Sequence, residues 1–127
     1  MKFVYPAIIH NDSDGMWAEF VDLIGCTTYG EDLQDTLMNA AEAMELFVVH
    51  TLESGKALPV ASDMRTVALP DENCFATLVT ADVDLAKNVK SVKKTLTIPS
   101  WLNEKALEEG INFSQTLQEA LVRKLIS

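Results

Sequence analysis

The chain has 127 residues, 48% hydrophobic and 23% charged, with a formal net charge of -9; this suits one ordinary globular domain, or a small domain with an appendage, and argues against disorder over most of its length. No run approaches the roughly 18 to 20 apolar residues of a membrane span. The N-terminal MKFVYPAIIHNDSD lacks the apolar region and cleavage site of a signal peptide, so a cytoplasmic protein without membrane contact is expected. The charge is unevenly divided. Residues 1–86 hold 3 basic and 15 acidic side chains, net -12, whereas residues 87–127 hold 7 basic and 4 acidic, net +3. Surfaces of opposite sign point to one cationic and one polyanionic partner.

In chain order, KFVYPAIIH (Lys2–His10) and MWAEFVDL (Met16–Leu23) are rich in aromatic and β-branched residues and flank the turn-forming NDSDG, which predicts a β-hairpin with a moderately long turn. Pro6 lacks a backbone donor and argues for an edge position or a bulge. CTTYG (Cys26–Gly30) predicts a short third strand. From Glu31 the period changes: Leu33, Leu37, Ala40, Ala41, Met44, Val48 and Leu52 form one stripe of a long helix, with Glu31 and Asp32 at its start and Gly55 after its end. KALPVASDM reads as a loop, and RTVALP and CFATLVTADVD (Cys74–Asp84) as strands separated by PDEN. The order gives an α+β unit over residues 1–84, a sheet of about four strands packed on one long helix. Residues 85–92 read as a linker or short helix.

Beyond the linker, KKTLTI alternates, with Leu96 and Ile98 on one face and Lys93, Thr95 and Thr97 on the other. Pro99 ends this strand, Ser100 is a candidate N-cap for WLNEKALEEG, and Gly110 closes that helix. Ser114 is a second candidate N-cap, and Leu117, Ala120, Leu121 and Leu125 form the stripe of a final helix. Residues 93–127 form a unit of 35 residues, below the size of about 40 at which disulfides, a metal or oligomerisation are usually needed. A lone strand also leaves its backbone groups unpaired. Pairing with the same strand of a second copy about a two-fold axis answers both problems and predicts a homodimer with Leu96, Ile98, Leu117 and Leu121 in its core. The outer face then presents Lys93, Thr95 and Thr97 twice, and a two-stranded ribbon with these side chains fits the DNA major groove, Lys donating to guanine and Thr meeting base edges or a thymine methyl. Lys94 shares parity with the inner residues and is a candidate phosphate or rim contact.

KKTLTIPSWLNEKALEEGINFSQTLQEALVRKL resembles a ribbon-helix-helix DNA-binding domain. The resemblance implies a second contact, to phosphate, through backbone N–H groups at the start of the last helix, here Asn112, Phe113 and Ser114; these residues could equally do no more than close a turn and cap a helix. MWAEFVDLIGCTTYGEDLQDTLMNAAEAME (Met16–Glu45) resembles the HicB family of antitoxins, with Ile24 where proline is usual and Thr36-Leu37 where Glu-Ala is common. That resemblance implies a partial ribonuclease H-like fold for residues 1–84. It also implies a partner of the HicA class, a small basic ribonuclease acting on mRNA, and repression of the protein's own operon by operator DNA binding. Tetramers and toxin–antitoxin hetero-oligomers are further assemblies left open, and the toxin-contacting residues are unknown from sequence. The alternative is a stand-alone regulator whose first domain binds a ligand or another protein.

Catalysis is not expected. Asp12, Asp14, Glu19 and Asp22 invite comparison with a two-metal nuclease, but the first two lie in a turn and the others on opposite strand faces. His10 and His50 have no metal-ligand spacing, and Cys26 and Cys74 belong to no CxxC motif, so neither metal nor cofactor is expected and the thiols read as buried packing residues.

Overall fold

The computed structural model describes residues 1–85 and 91–126. The chain divides into two compact units, Met1–Val83 and Asp84–Ser127. The linker or short helix expected over residues 85–92 lies mostly outside the described residues.

The first unit is a four-stranded antiparallel sheet with the order β3-β2-β1-β4, formed by β1 (Lys2–Asp12), β2 (Gly15–Phe20), β3 (Thr27–Gly30) and β4 (Cys74–Asp82), and crossed by one helix, α1 (Leu33–Glu53). Period-two alternation sorts β1: Phe3, Tyr5, Ala7 and Ile9 lie on one face and are buried, as are Ala18 and Phe20, which pair with Ile9 and Ala7. With Ala40, Met44 and Val48 of α1 and Leu23, Val79 and Val83 they form the core, each larger side chain contributing about 1.5 to 3 kcal/mol by leaving water.

The helix starts where acidic side chains can satisfy its free N–H groups. Asp32 accepts from the Asp35 amide at 2.8 Å, and Asp35 reaches back to the Glu31 amide at 2.9 Å, a near-reciprocal cap. Its stripe is centred one position from the one predicted, on Thr36, Ala40, Met44, Val48 and Thr51. Buried Thr36 and Thr51 are tolerated because their hydroxyls donate to the carbonyls of Asp32 and Phe47 at 2.7 and 2.8 Å. At the other end the amides of Gly55 and Lys56 donate to Leu52 and Thr51, with Gly55 at φ +71°, as a left-handed C-terminal cap requires.

Three local expectations are corrected. β1 is a central strand, not an edge. Pro6 is accommodated because its carbonyl accepts from Val21; the proline nitrogen faces that same side, where β2 has already ended at Phe20. The hairpin turn is short, since pairing runs out to Asp12 opposite Gly15, and Trp17 Nε1 clamps it by donating to Asp12 at 2.8 Å. RTVALP forms no strand: Met64–Thr66 is a single 3₁₀ turn. There Asp63 accepts from the Arg65 amide at 2.9 Å and from its guanidinium at 2.6 Å, local bonds that compete with a sheet ladder, and Pro70 follows without a donor.

In the second unit, helices α2 (Ser100–Glu108) and α3 (Phe113–Ile126) are joined by a turn in which the amides of Gly110 and Ile111 donate to Leu107 and Ala106. The expected caps shift. Ser100 is already helical and Pro99 occupies the cap position without a side-chain bond. Asn112, not Ser114, caps α3, its Oδ1 accepting from the Gln115 amide at 3.0 Å. The segment 91–99 forms no hydrogen-bonded strand, since in a single chain its donors and acceptors meet no second strand.

Candidate partner-binding surfaces

On the sheet face opposite the core, cross-strand register sets Tyr29, Trp17, His10 and Cys74 in one row across all four strands. His10 stacks on Trp17 with ring centroids 3.9 Å apart and planes 7° from parallel, and Trp17 meets Tyr29 at 6.4 Å. Tyr29 is exposed while His10 is buried beneath Trp17. Glu19 Oε1 lies 3.6 Å from His10 Nε2, and that nitrogen is buried with no hydrogen-bond partner among the described residues.

Beside this row a cleft of about 460 Å³ opens among Ile8, Glu19, Val21, Cys26, Ser62 and Val67. The loop that walls it is tied to the sheet. Asp22 accepts from the Ser62 hydroxyl at 2.5 Å and from the Ser62 amide at 2.8 Å, and Tyr5 donates to the Pro59 carbonyl at 2.7 Å. Burial, and secondarily the Asp22 charge, raise the Tyr5 pKa above its ordinary value. Burial likewise raises that of the Cys26 thiol. Both cysteines are free and buried.

The four carboxylates compared with a nuclease set do not converge. Asp12 is held by Trp17 and Asp22 by Ser62, Asp14 stands exposed in the hairpin turn, and Glu19 lies beside His10. His50 sits exposed in the last turn of α1. The solvent side of α1 carries Met38, Glu42 and Leu46 at helical spacing, with Met38 and Leu46 60% and 72% exposed, an acidic and apolar strip that the sequence reading did not single out.

In the second unit no described residue is buried. Lys93, Lys94, Thr95 and Thr97 are exposed, and so are the residues expected to form a dimer core: Leu96 at 63%, Ile98 at 45% and Leu121 at 54%, with Leu117 half-buried. Trp101, Leu107, Ile111 and Phe113 add to this apolar surface. The amides of Phe113 and Ser114 lie in the first turn of α3, where a helix lacks internal acceptors for its N–H groups.

Comparison with known proteins adds the following. A family model described as "HicB_like antitoxin of bacterial toxin-antitoxin system" matches residues 5–121, across both units. An uncharacterised 14.9 kDa protein of the rep-hol intergenic region of Haemophilus phage HP1 (strain HP1c1) is 30% identical over 101 residues, 78% of this chain and 75% of that protein. Among solved structures, a chain of a toxin–antitoxin complex from Streptococcus pneumoniae is 30% identical with a TM-score of 0.59, over 98% of this chain and 99% of its own. A chain of the HicA3 and HicB3 toxin–antitoxin complex is 27% identical with a TM-score of 0.54, over 63% of this chain and 99% of its own. With a match spanning nearly its whole length, the chain belongs to the HicB-like antitoxin family of bacterial toxin–antitoxin systems.

Proposed function

We propose that residues 1–84 neutralise a HicA-type mRNA interferase and that residues 93–127 repress the protein's own operon. The family match across residues 5–121 carries the antitoxin role, and the similarity to chains of two toxin–antitoxin complexes supports a toxin partner. The net charge of -12 over residues 1–86 suits a basic ribonuclease: an acidic surface steers such a partner and competes with RNA for its cationic groups.

For the second unit, the supporting observation is its surface. Residues 93–127 bury none of their described side chains, and a segment of 35 residues is below the size of about 40 that forms a core without help such as a second copy. Pairing of the 93–98 segments about a two-fold axis would cover Leu96 and Ile98 and bring α2 and α3 of both chains together around Leu117 and Leu121. Lys93, Thr95 and Thr97 are then the base-reading residues. Lys94 and the N–H groups at Asn112, Phe113 and Ser114 are the phosphate contacts, where α3 begins.

Calorimetric titration of the purified full chain with a catalytically inactive HicA-type toxin tests the toxin half. Saturable binding whose affinity falls as salt rises is expected from the charge division. Heats indistinguishable from dilution at low salt would leave the first unit without this partner.

A further inference from the structure

We propose that His10, Asp71 and Cys74 form a transition-metal site suited to Zn²⁺, where the end of β1 meets the turn entering β4. A ring nitrogen of His10, the Asp71 carboxylate and Cys74 Sγ all lie within 4.8 Å of one another. Imidazole, thiolate and carboxylate are the three donor types Zn²⁺ takes, at about 2.0 to 2.3 Å, which sets ligand atoms roughly 3.5 Å apart around a tetrahedron. Contraction by about 1.3 Å is therefore the most the site needs, and Asp71, exposed and held through one carboxylate oxygen by the Asn73 amide at 2.7 Å, can supply it through the other.

The other two ligands are already placed. His10 and Cys74 are direct cross-strand partners, and both are buried. Stacking against Trp17 fixes the plane of the His10 ring. Buried imidazole nitrogens are ordinarily hydrogen-bonded, yet among the described residues His10 Nε2 has no hydrogen-bond partner, Glu19 standing off at 3.6 Å. With the metal on Nδ1, Nε2 carries the proton, and Glu19, 3.6 Å away, is the acceptor it would close on, the usual arrangement by which a carboxylate orients a metal-bound histidine. Cys74 Sγ now donates to the Asp71 carbonyl at 3.1 Å. On binding, the thiol proton passes to solvent and the thiolate takes the metal. Three protein ligands leave a fourth position for water or for a donor from a partner. The site would staple the turn before β4 to β1, beside the stack of His10 on Trp17.

Cobalt titration of the metal-free full chain tests the site. Expected at one equivalent are a thiolate-to-cobalt charge-transfer band and visible bands of tetrahedral intensity, both removed by Zn²⁺, together with a rise in Tm on adding Zn²⁺. Cys74→Ser should abolish the charge-transfer band and Cys26→Ser should leave it intact. Glu19→Gln should weaken binding about tenfold. Should Cys74→Ser fail to fold, His10→Asn is to be read in its place, by loss of the tetrahedral bands. Absence of the charge-transfer band in the native chain, or its persistence in folded Cys74→Ser, overturns the proposal.

Discussion

Gly30→Ala is expected to destabilise the first unit by about 3 kcal/mol or more, among the largest effects available to a single methyl group. A Cβ at this position would lie 2.6 Å from the Thr36 Cα and closer still to the Thr36 amide nitrogen and hydroxyl. Two of these three atoms are backbone, and the helix cannot yield there. Thr36 is fully buried. Its amide and hydroxyl donate to the Asp32 carbonyl at 2.9 and 2.7 Å, while Asn39 ties the same turn back to the Tyr29 carbonyl at 2.8 Å. The glycine is thus required by space at the passage from β3 into α1. Because the obstruction is backbone, removing the Thr36 hydroxyl as well should not rescue the variant. Urea unfolding checks this: the midpoint should fall with an unchanged slope, and a loss under about 0.5 kcal/mol would contradict the close approach.

The second large effect concerns operator DNA. In a two-fold ribbon each outer side chain is present twice, so the double variant Lys93→Ala/Thr95→Ala removes four proposed base contacts at once. A good bidentate contact discriminates by about 1 to 3 kcal/mol, and a combined loss of at least about 2 kcal/mol, roughly thirtyfold in Kd, is expected. Both residues are exposed, so the variant should unfold like the parent. Lys94→Ala should behave differently, weakening binding to operator and unrelated DNA alike and flattening the salt dependence. Electrophoretic mobility shifts at fixed salt separate these outcomes. An unaltered operator affinity in the double variant would remove this face from the interface.

The elements that could be read from sequence are those whose signal is local. The α1 stripe, its acidic start and its terminal glycine depend only on neighbours within a few turns, and the first three strands announce themselves by composition and bracketing turn residues. What escaped depends on contacts between distant segments. Pro6 argues for an edge until β2 is seen to stop at Phe20, and RTVALP has strand-like composition but is captured by the Asp63 side chain. Thr36 reads as polar, yet it occupies the core because its hydroxyl is satisfied within its own helix. The clearest case is the row Tyr29, Trp17, His10 and Cys74. Its members come from four strands, and no spacing rule links His10 to Cys74, although the register of β1 with β4 sets them side by side. For the second unit, the alternation of Lys93–Ile98 reads as a strand with two faces, but residues 91–99 form no hydrogen-bonded strand in the single chain.

The most direct test of the account is RNA cleavage by a HicA-type toxin measured while the full chain is added in increasing amounts. Cleavage is expected to fall to the background rate as the chain saturates the toxin, with the required amount rising at high salt. Undiminished cleavage at saturating protein would contradict the antitoxin role assigned to this chain.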